Sequence, residues 1–147
     1  MGQYYKIVNI KKKQYITPHT FGDGAKLMEF SMSASGVLAG LAILLADGNG
    51  RGGGDLHSEN DIVGSWAGDN IVVAGDYADT GKYFFSGVDP NYTLYHWAED
   101  HYTDISREVV ALLLASGEME APEYWYGADE EAIHKRVKEL KEEHNAS

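Results

Sequence analysis

The feature that most constrains this fold is the segment Asp47-Gly48-Asn49-Gly50-Arg51-Gly52-Gly53-Gly54-Asp55, in which five of nine residues are glycine. Glycine loses the most backbone freedom on ordering, so neither a helix nor a strand runs easily through such a segment. Regular structure must therefore form on either side of it. Directly before it lies the most apolar stretch, Val37 to Ala46, which is ten residues long. A bilayer needs about 20 apolar residues, and this run lies too far from Met1 to be the core of a signal peptide. Both observations predict a cytoplasmic protein with no membrane partner. The length of 147 residues fits a single compact domain with its own core.

Composition narrows the chemistry. The chain has no cysteine, which excludes disulfides, thiolate zinc sites, iron–sulfur clusters and a cysteine nucleophile. Its formal charge of −11 argues against reading a nucleic-acid backbone. That charge is unevenly placed: residues 1–46 carry +3, residues 47–104 carry −9, and residues 116–147 carry −5. The acidic middle also holds His57, His96 and His101.

Residue patterns predict a mixed α+β domain. Gln3 to Ile10 is rich in β-branched and aromatic residues and reads as a strand, with Tyr15-Ile16-Thr17 returning beside it after the polar turn Lys11 to Gln14. Ala25 to Ala46 favours helix, interrupted near Ser33-Ala34-Ser35-Gly36. Ile62 to Ala67 and Ile71 to Ala74 read as a hairpin around Gly68-Asp69-Asn70, and Lys82 to Phe85 as a further strand. Asp104 suits the N-cap of a helix over Ile105 to Ser116, ended by Gly117. Asp129 to His144 reads as a charged helix with the narrow apolar stripe Ile133, Val137 and Leu140. The expected architecture is a small antiparallel sheet packed with two to three helices. Residues 1–127 form the globular unit, and a charged helix over 128–147 packs on it or extends from it.

The glycine-rich segment is also the first candidate for chemistry. Successive main-chain N–H groups in such a loop can cradle an anion, with Arg51 as counter-charge. A phosphate-binding P-loop, however, runs strand–loop–helix and ends in Gly-Lys-Ser/Thr, and neither holds here. Asp47, Asn49 and Arg51 alternate as in a calcium loop, but its twelfth position is Ser58 rather than a bidentate glutamate. The plain alternative is a flexible surface loop.

Asp69, Asp76 and Asp79 are a second cluster, able in principle to hold a hard cation or to divide into acid and base, although aspartate is ordinary at turns. His96 and His101 stand five apart, the wrong spacing for a helical zinc pair, and read as loop residues. His134 reads as solvated. No Gly-x-Ser-x-Gly occurs, so no catalytic residue and no cofactor is assigned. Aromatic residues crowd the acidic third, from Trp66 to Tyr102, with Tyr124, Trp125 and Tyr126 beyond, which suits core packing, ring stacking or a homo-oligomer interface.

Met1 to Asn9, Gly22 to Glu29, Trp66-Ala67-Gly68-Asp69 and Ala74-Gly75-Asp76-Tyr77-Ala78-Asp79 together resemble short uncharacterised proteins encoded by bacteria, archaea and their phages. The likeness spans roughly the first 80 residues. It implies a stand-alone domain of phage or mobile-element origin and brings no activity with it.

These observations point first to a non-enzymatic binder of a small anionic, nucleotide-like ligand, one that sequesters it, with phage anti-defence as its setting. Arg51, Gly52, Gly53, Asp55 and His57 would hold the anion. Trp66 or Tyr77 would stack on a ring, and Asp76 or Asp79 would accept hydrogen bonds. Two alternatives stay open: an acidic inhibitor that binds a basic protein surface, and a metal-dependent hydrolase using Asp69, Asp76 and Asp79.

Overall fold

The structure, a computed structural model, describes residues 2–32, 36–123, 125 and 129–146, residues 144–146 by backbone alone. Strand β1 (Tyr5–Asn9) turns through Lys11 to Lys13 into β2 (Gln14–Ile16). A 3-10 turn (Pro18–Phe21) leads to the short helix α1 (Leu27–Phe30) and then α2 (Val37–Leu45). After the glycine-rich segment come β3 (Ile71–Gly75), α3 (Leu94–His101), β4 (Thr103–Asp104), α4 (Ser106–Ala115) and α5 (Glu130–Ala146). No helix among the described residues is long and apolar enough to cross a membrane.

The fold is α+β, built on one small sheet with strand order β3-β1-β2-β4. The first three strands pair antiparallel, and the two residues of β4 extend the sheet parallel to β2. Because strand side chains alternate, β1 presents two faces, and both are covered. Tyr5 and Ile7, with Ile16 and Ile71, pack on α2, α4 and α5 through Leu44, Val109, Leu113 and Ile133. Val8, with Tyr15 and Ala74, packs on the other side against Leu94 and Ala98 of α3. The sheet is thus the middle layer of three.

Helix α4 is the most deeply buried helix, with Val109 to Leu113 all at most 4% exposed. Asp104 Oδ1 accepts from the Ser106 N–H at 2.9 Å, so the capping carboxylate lies two residues before the first helical residue. The buried Ser106 hydroxyl accepts from the Thr17 N–H at 2.7 Å, tying the end of β2 to the start of α4. Ile133 and Leu140 of α5 are buried, and Arg136 donates from Nε and Nη2 to Glu108 of α4 at 2.8–3.1 Å. The interruption expected in the long helical stretch is present: α1 ends at Phe30 and α2 starts at Val37, while Ser33, Ala34 and Ser35 lie outside the described residues. So do Tyr124 and Tyr126, and the expected 127/128 boundary falls there too.

Two expected strands are not strands. Ile62 to Ala67 forms consecutive turns, with Gly64 and Gly68 at φ +77° and +83°, outside the β region. The N–H groups of Gly64 and Trp66 instead donate to the last carbonyls of α2, Ile43 and Leu44, both at 2.8 Å. A Cβ on Gly64 would meet the Ala46 carbonyl at 2.6 Å, so this approach requires glycine. β3 therefore pairs with β1, not with a hairpin partner. Lys82 to Phe85 ends in a 3-10 turn (Phe84–Ser86) between Gly81 and Gly87, both at positive φ. His96 and His101 lie on α3, not in a loop: His96 sits at the helix start beside Thr93, and His101 stacks on Trp97 at a centroid distance of 3.8 Å.

Gly40 marks the tightest crossing of α2. An added Cβ would meet Phe21 at 2.6 Å and Val109 at 3.0 Å. On an open helix Gly→Ala gains about 1 kcal/mol in propensity. Here Gly40→Ala is expected to destabilise by about 1–3 kcal/mol, because the clash opposes that gain. A lower urea midpoint with an unchanged slope checks this.

Candidate functional site

The glycine-rich loop is ordered by its own side chains. All five of its glycines have positive φ, from +61° at Gly53 to +115° at Gly48, and no atom lies within 4 Å of a Cβ placed on any of them. Backbone conformation, not a close approach, demands glycine here. Asn49 closes the loop: its Oδ1 accepts from the Leu56 N–H at 2.9 Å and its Nδ2 donates to the Ser58 carbonyl at 3.1 Å. Leu56, buried against Ala111, Leu112 and Leu140, anchors the return. The Arg51 N–H donates to the Asp55 carboxylate, so this loop amide is already satisfied within the loop.

The residues expected to form one site are dispersed. Arg51, Gly52, Gly53 and His57 are exposed on the loop. Trp66 is fully buried and its Nε1 donates to Gln14 Oε1 at 2.8 Å, so its ring packs in the core and has no face for a ligand. Asp76 and Tyr77 follow β3, where the Asp76 carboxylate accepts from the Tyr4 N–H at 2.9 Å and Tyr77 is 74% exposed.

Asp69 and Asp76 flank opposite ends of β3, and an extended strand of that length separates them by roughly 20 Å. The structure thus does not bring together Asp69, Asp76 and Asp79, the three residues on which the hydrolase alternative relied. Among the described residues no three acidic or histidine side chains gather to hold a metal. Asp69 instead meets the amino-terminal lysines. It accepts from the buried Asn9 Nδ2 at 2.9 Å and pairs with Lys12 at 3.1 Å and Lys11 at 3.6 Å.

Two clefts remain. The larger, about 820 Å³, lies between the Gly50–Asn60 segment and helices α4 and α5. Leu56, Leu112, Ala115 and Leu140 line it with apolar surface, and His57, Asn60, Ser116 and Lys141 are among its polar lining groups. Its volume lies within the range of small-molecule sites. Glu143, also at its rim, is paired with Arg136 at 3.4 Å, whereas Lys141 has no ion-pair partner among the described residues. The smaller cleft, about 400 Å³, runs beside β3 and includes Tyr77, Asp79, Lys82, Tyr83 and Leu94. The two clefts share no residue, so His57 and the pair Tyr77–Asp79 belong to different surfaces. Sequence reasoning missed Ala115 and Lys141 because a small residue near a helix end and a lysine on a charged helix carry no local signal. Comparison with protein-family models, with curated proteins and with solved structures finds no match to this chain.

Asp69 yields a pH prediction. Its carboxyl is held below the ordinary aspartate range, chiefly by the Asn9 hydrogen bond; desolvation opposes this, and Lys12 and Lys11 reinforce it. A lowered folded pKa stabilises above the unfolded value of about 3.9, and that contribution is lost as pH falls through the folded pKa. Asp69→Asn should therefore be less stable than the parent at pH 7, with the difference narrowing below about pH 4. Thermal unfolding of both chains across that range checks it.

Proposed function

We propose that this chain is a non-enzymatic, cytoplasmic binding protein that takes a small anionic ligand in the larger cleft. The observation that carries the reading is an apolar-lined groove of about 820 Å³ whose rim places Lys141 and His57 beside the carboxylates Glu59 and Glu143. Apolar surface from Leu56, Leu112, Ala115 and Leu140 would accept the body of the ligand, and Lys141 with His57 would meet its carboxylate or phosphate. Arg51 and the loop glycines play a supporting part, holding the segment that presents His57 rather than cradling the anion, because Asp55 already occupies the loop amide. A protein with this groove and no assigned nucleophile acts by lowering the free concentration of its ligand.

A thermal-shift screen against nucleotides, cyclic nucleotides and aromatic carboxylates tests this. At about 100 times Kd a ligand stabilises by about 2.7 kcal/mol, and at roughly 2–4 °C per kcal/mol for this size the midpoint should rise about 5–10 °C. Lys141→Glu should abolish the rise for anionic ligands, and Ala115→Trp, which fills the groove, for all of them. No hit in the whole set, or a shift that survives both substitutions, overturns the reading.

A further inference from the structure

The open edge of the sheet points to a second binding surface, independent of the larger cleft. β3 pairs with β1 on one side and with no strand on the other among the described residues. The alternation of its main chain follows from one bond, the Asp76 N–H donating to the Tyr4 carbonyl at 3.0 Å. Counting inward from that pair, Lys6–Ala74 and Val8–Val72 are the hydrogen-bonded positions. The N–H and C=O groups of Val72 and Ala74 thus face β1, and those of Ile71 and Val73 face the open side. A bare row of this kind is a template for one more strand. The cleft of about 400 Å³ lies along the same edge, between β3 and the residues Tyr83 and Leu94. Val73, on the opposite face of the strand, is 44% exposed.

We infer that this edge docks an extended, basic segment of another protein, which adds as a strand along Ile71–Gly75 and places an apolar side chain in the cleft against Tyr83 and Leu94. Main-chain bonds supply affinity in this mode and the side-chain pocket supplies selectivity. Charge selects the occupant. A second copy would bring −11 against −11, and the segment that carries β3, residues 47–104, has a net charge of −9. Within the cleft itself exposed Asp79 and Lys82 balance one another, so the bias toward a cation comes from the acidic surroundings, Asp76 at the end of the strand among them. Like charges oppose self-pairing at this edge, and a cationic strand is drawn to it.

The test uses the full chain and a fluorescein-labelled Lys-Val-Lys-Val-Lys-Val-Lys peptide, with its Glu-Val counterpart and a valine-N-methylated version as controls. The basic peptide should bind, and amide exchange at Ile71 and Val73 should slow by about tenfold or more, while Val72 and Ala74 are already protected by β1 in the free chain. Val73→Pro removes an N–H that faces away from β1 and should weaken binding by about tenfold. If that variant does not fold, the N-methylated peptide removes the same kind of bond from the other partner and should fail to bind. Asp79→Lys should weaken the basic peptide and narrow its advantage over the acidic one. Equal binding of the acidic peptide, binding without slowed exchange at Ile71 and Val73, or protection of those amides in a peptide-free dimer overturns the proposal. None of these outcomes bears on the larger cleft.

Discussion

The burial of β1 on both faces is the constraint on which the rest of the molecule depends. A central strand covered on one side only could leave polar residues on the other. Here Tyr5 and Ile7 need α2, α4 and α5, while Val8 needs α3. Lys6 shares the α3 face and is only 5% exposed, so its charge must be answered inside. Glu99 of α3 answers it at 3.0 Å, and the Tyr95 ring lies 3.6 Å from the ammonium. One strand residue thereby fixes which turn of α3 lies over the sheet. The same crowding pushes the Tyr15 hydroxyl up to about 12, first through burial and then through Asp104 and Glu99. Removing Glu99 would leave a buried unpaired cation, a costlier defect than losing an exposed pair.

Ordering of the glycine-rich loop follows from the same economy of contacts. Its glycines contribute no side chains, so Asn49, Asp55 and Leu56 supply the side-chain contacts that hold it, beside the main-chain bond from the Asp55 N–H to the Gly52 carbonyl at 3.3 Å. Leu56 reaches the surface shared by α4 and α5, which makes the loop a wall of the larger cleft rather than an appendage. The loop's conformation is therefore linked to how α5 sits on α4, where Arg136 bridges Glu108, Glu139 and Glu143. These carboxylates raise the already high pKa of Arg136, so the bridge stays charged.

Local chemistry made part of this legible in the sequence. Asp104 and Asp129 announce helix starts because a cap acts within three residues, and the stripe Ile133, Val137 and Leu140 repeats at helical spacing. The first strand and its turn were equally readable. Ile62 to Ala67 misled because its apolar residues suit a strand while Gly64 and Gly68 set positive φ, and only the proximity of the α2 carboxyl end shows which wins. Trp66 misled for a related reason: its side chain is satisfied by Gln14, 52 positions away. Lys6 and Glu99, 93 positions apart, were beyond reach. The candidate site was the least legible part, since its groove is made by α4 and α5 packing beside the loop, and no spacing along the chain encodes that meeting.

The acidic composition acquires a local explanation. Asp23, Asp55, Asp76, Asp89, Asp104 and Asp129 each accept a hydrogen bond from a main-chain N–H, at Val37, Arg51, Tyr4, Asn91, Ser106 and Ala132 respectively. Most of these bonds cap a helix or close a turn, where an anion is favoured by the N–H dipoles around it. Much of the negative charge is thus placed by backbone needs in a chain rich in turns, not gathered into one patch. Hydrogen bonding does not neutralise a carboxylate, however, so the summed field persists. Asp69 and Glu99, which pair with lysines from the amino-terminal third, return part of that charge to balance, and Asp76 and Asp79 beyond β3 do not. The field left over is strongest in meaning where an open strand edge would otherwise invite another copy. There, the same acidic excess would oppose pairing with a second copy, as the proposal of a basic partner strand requires.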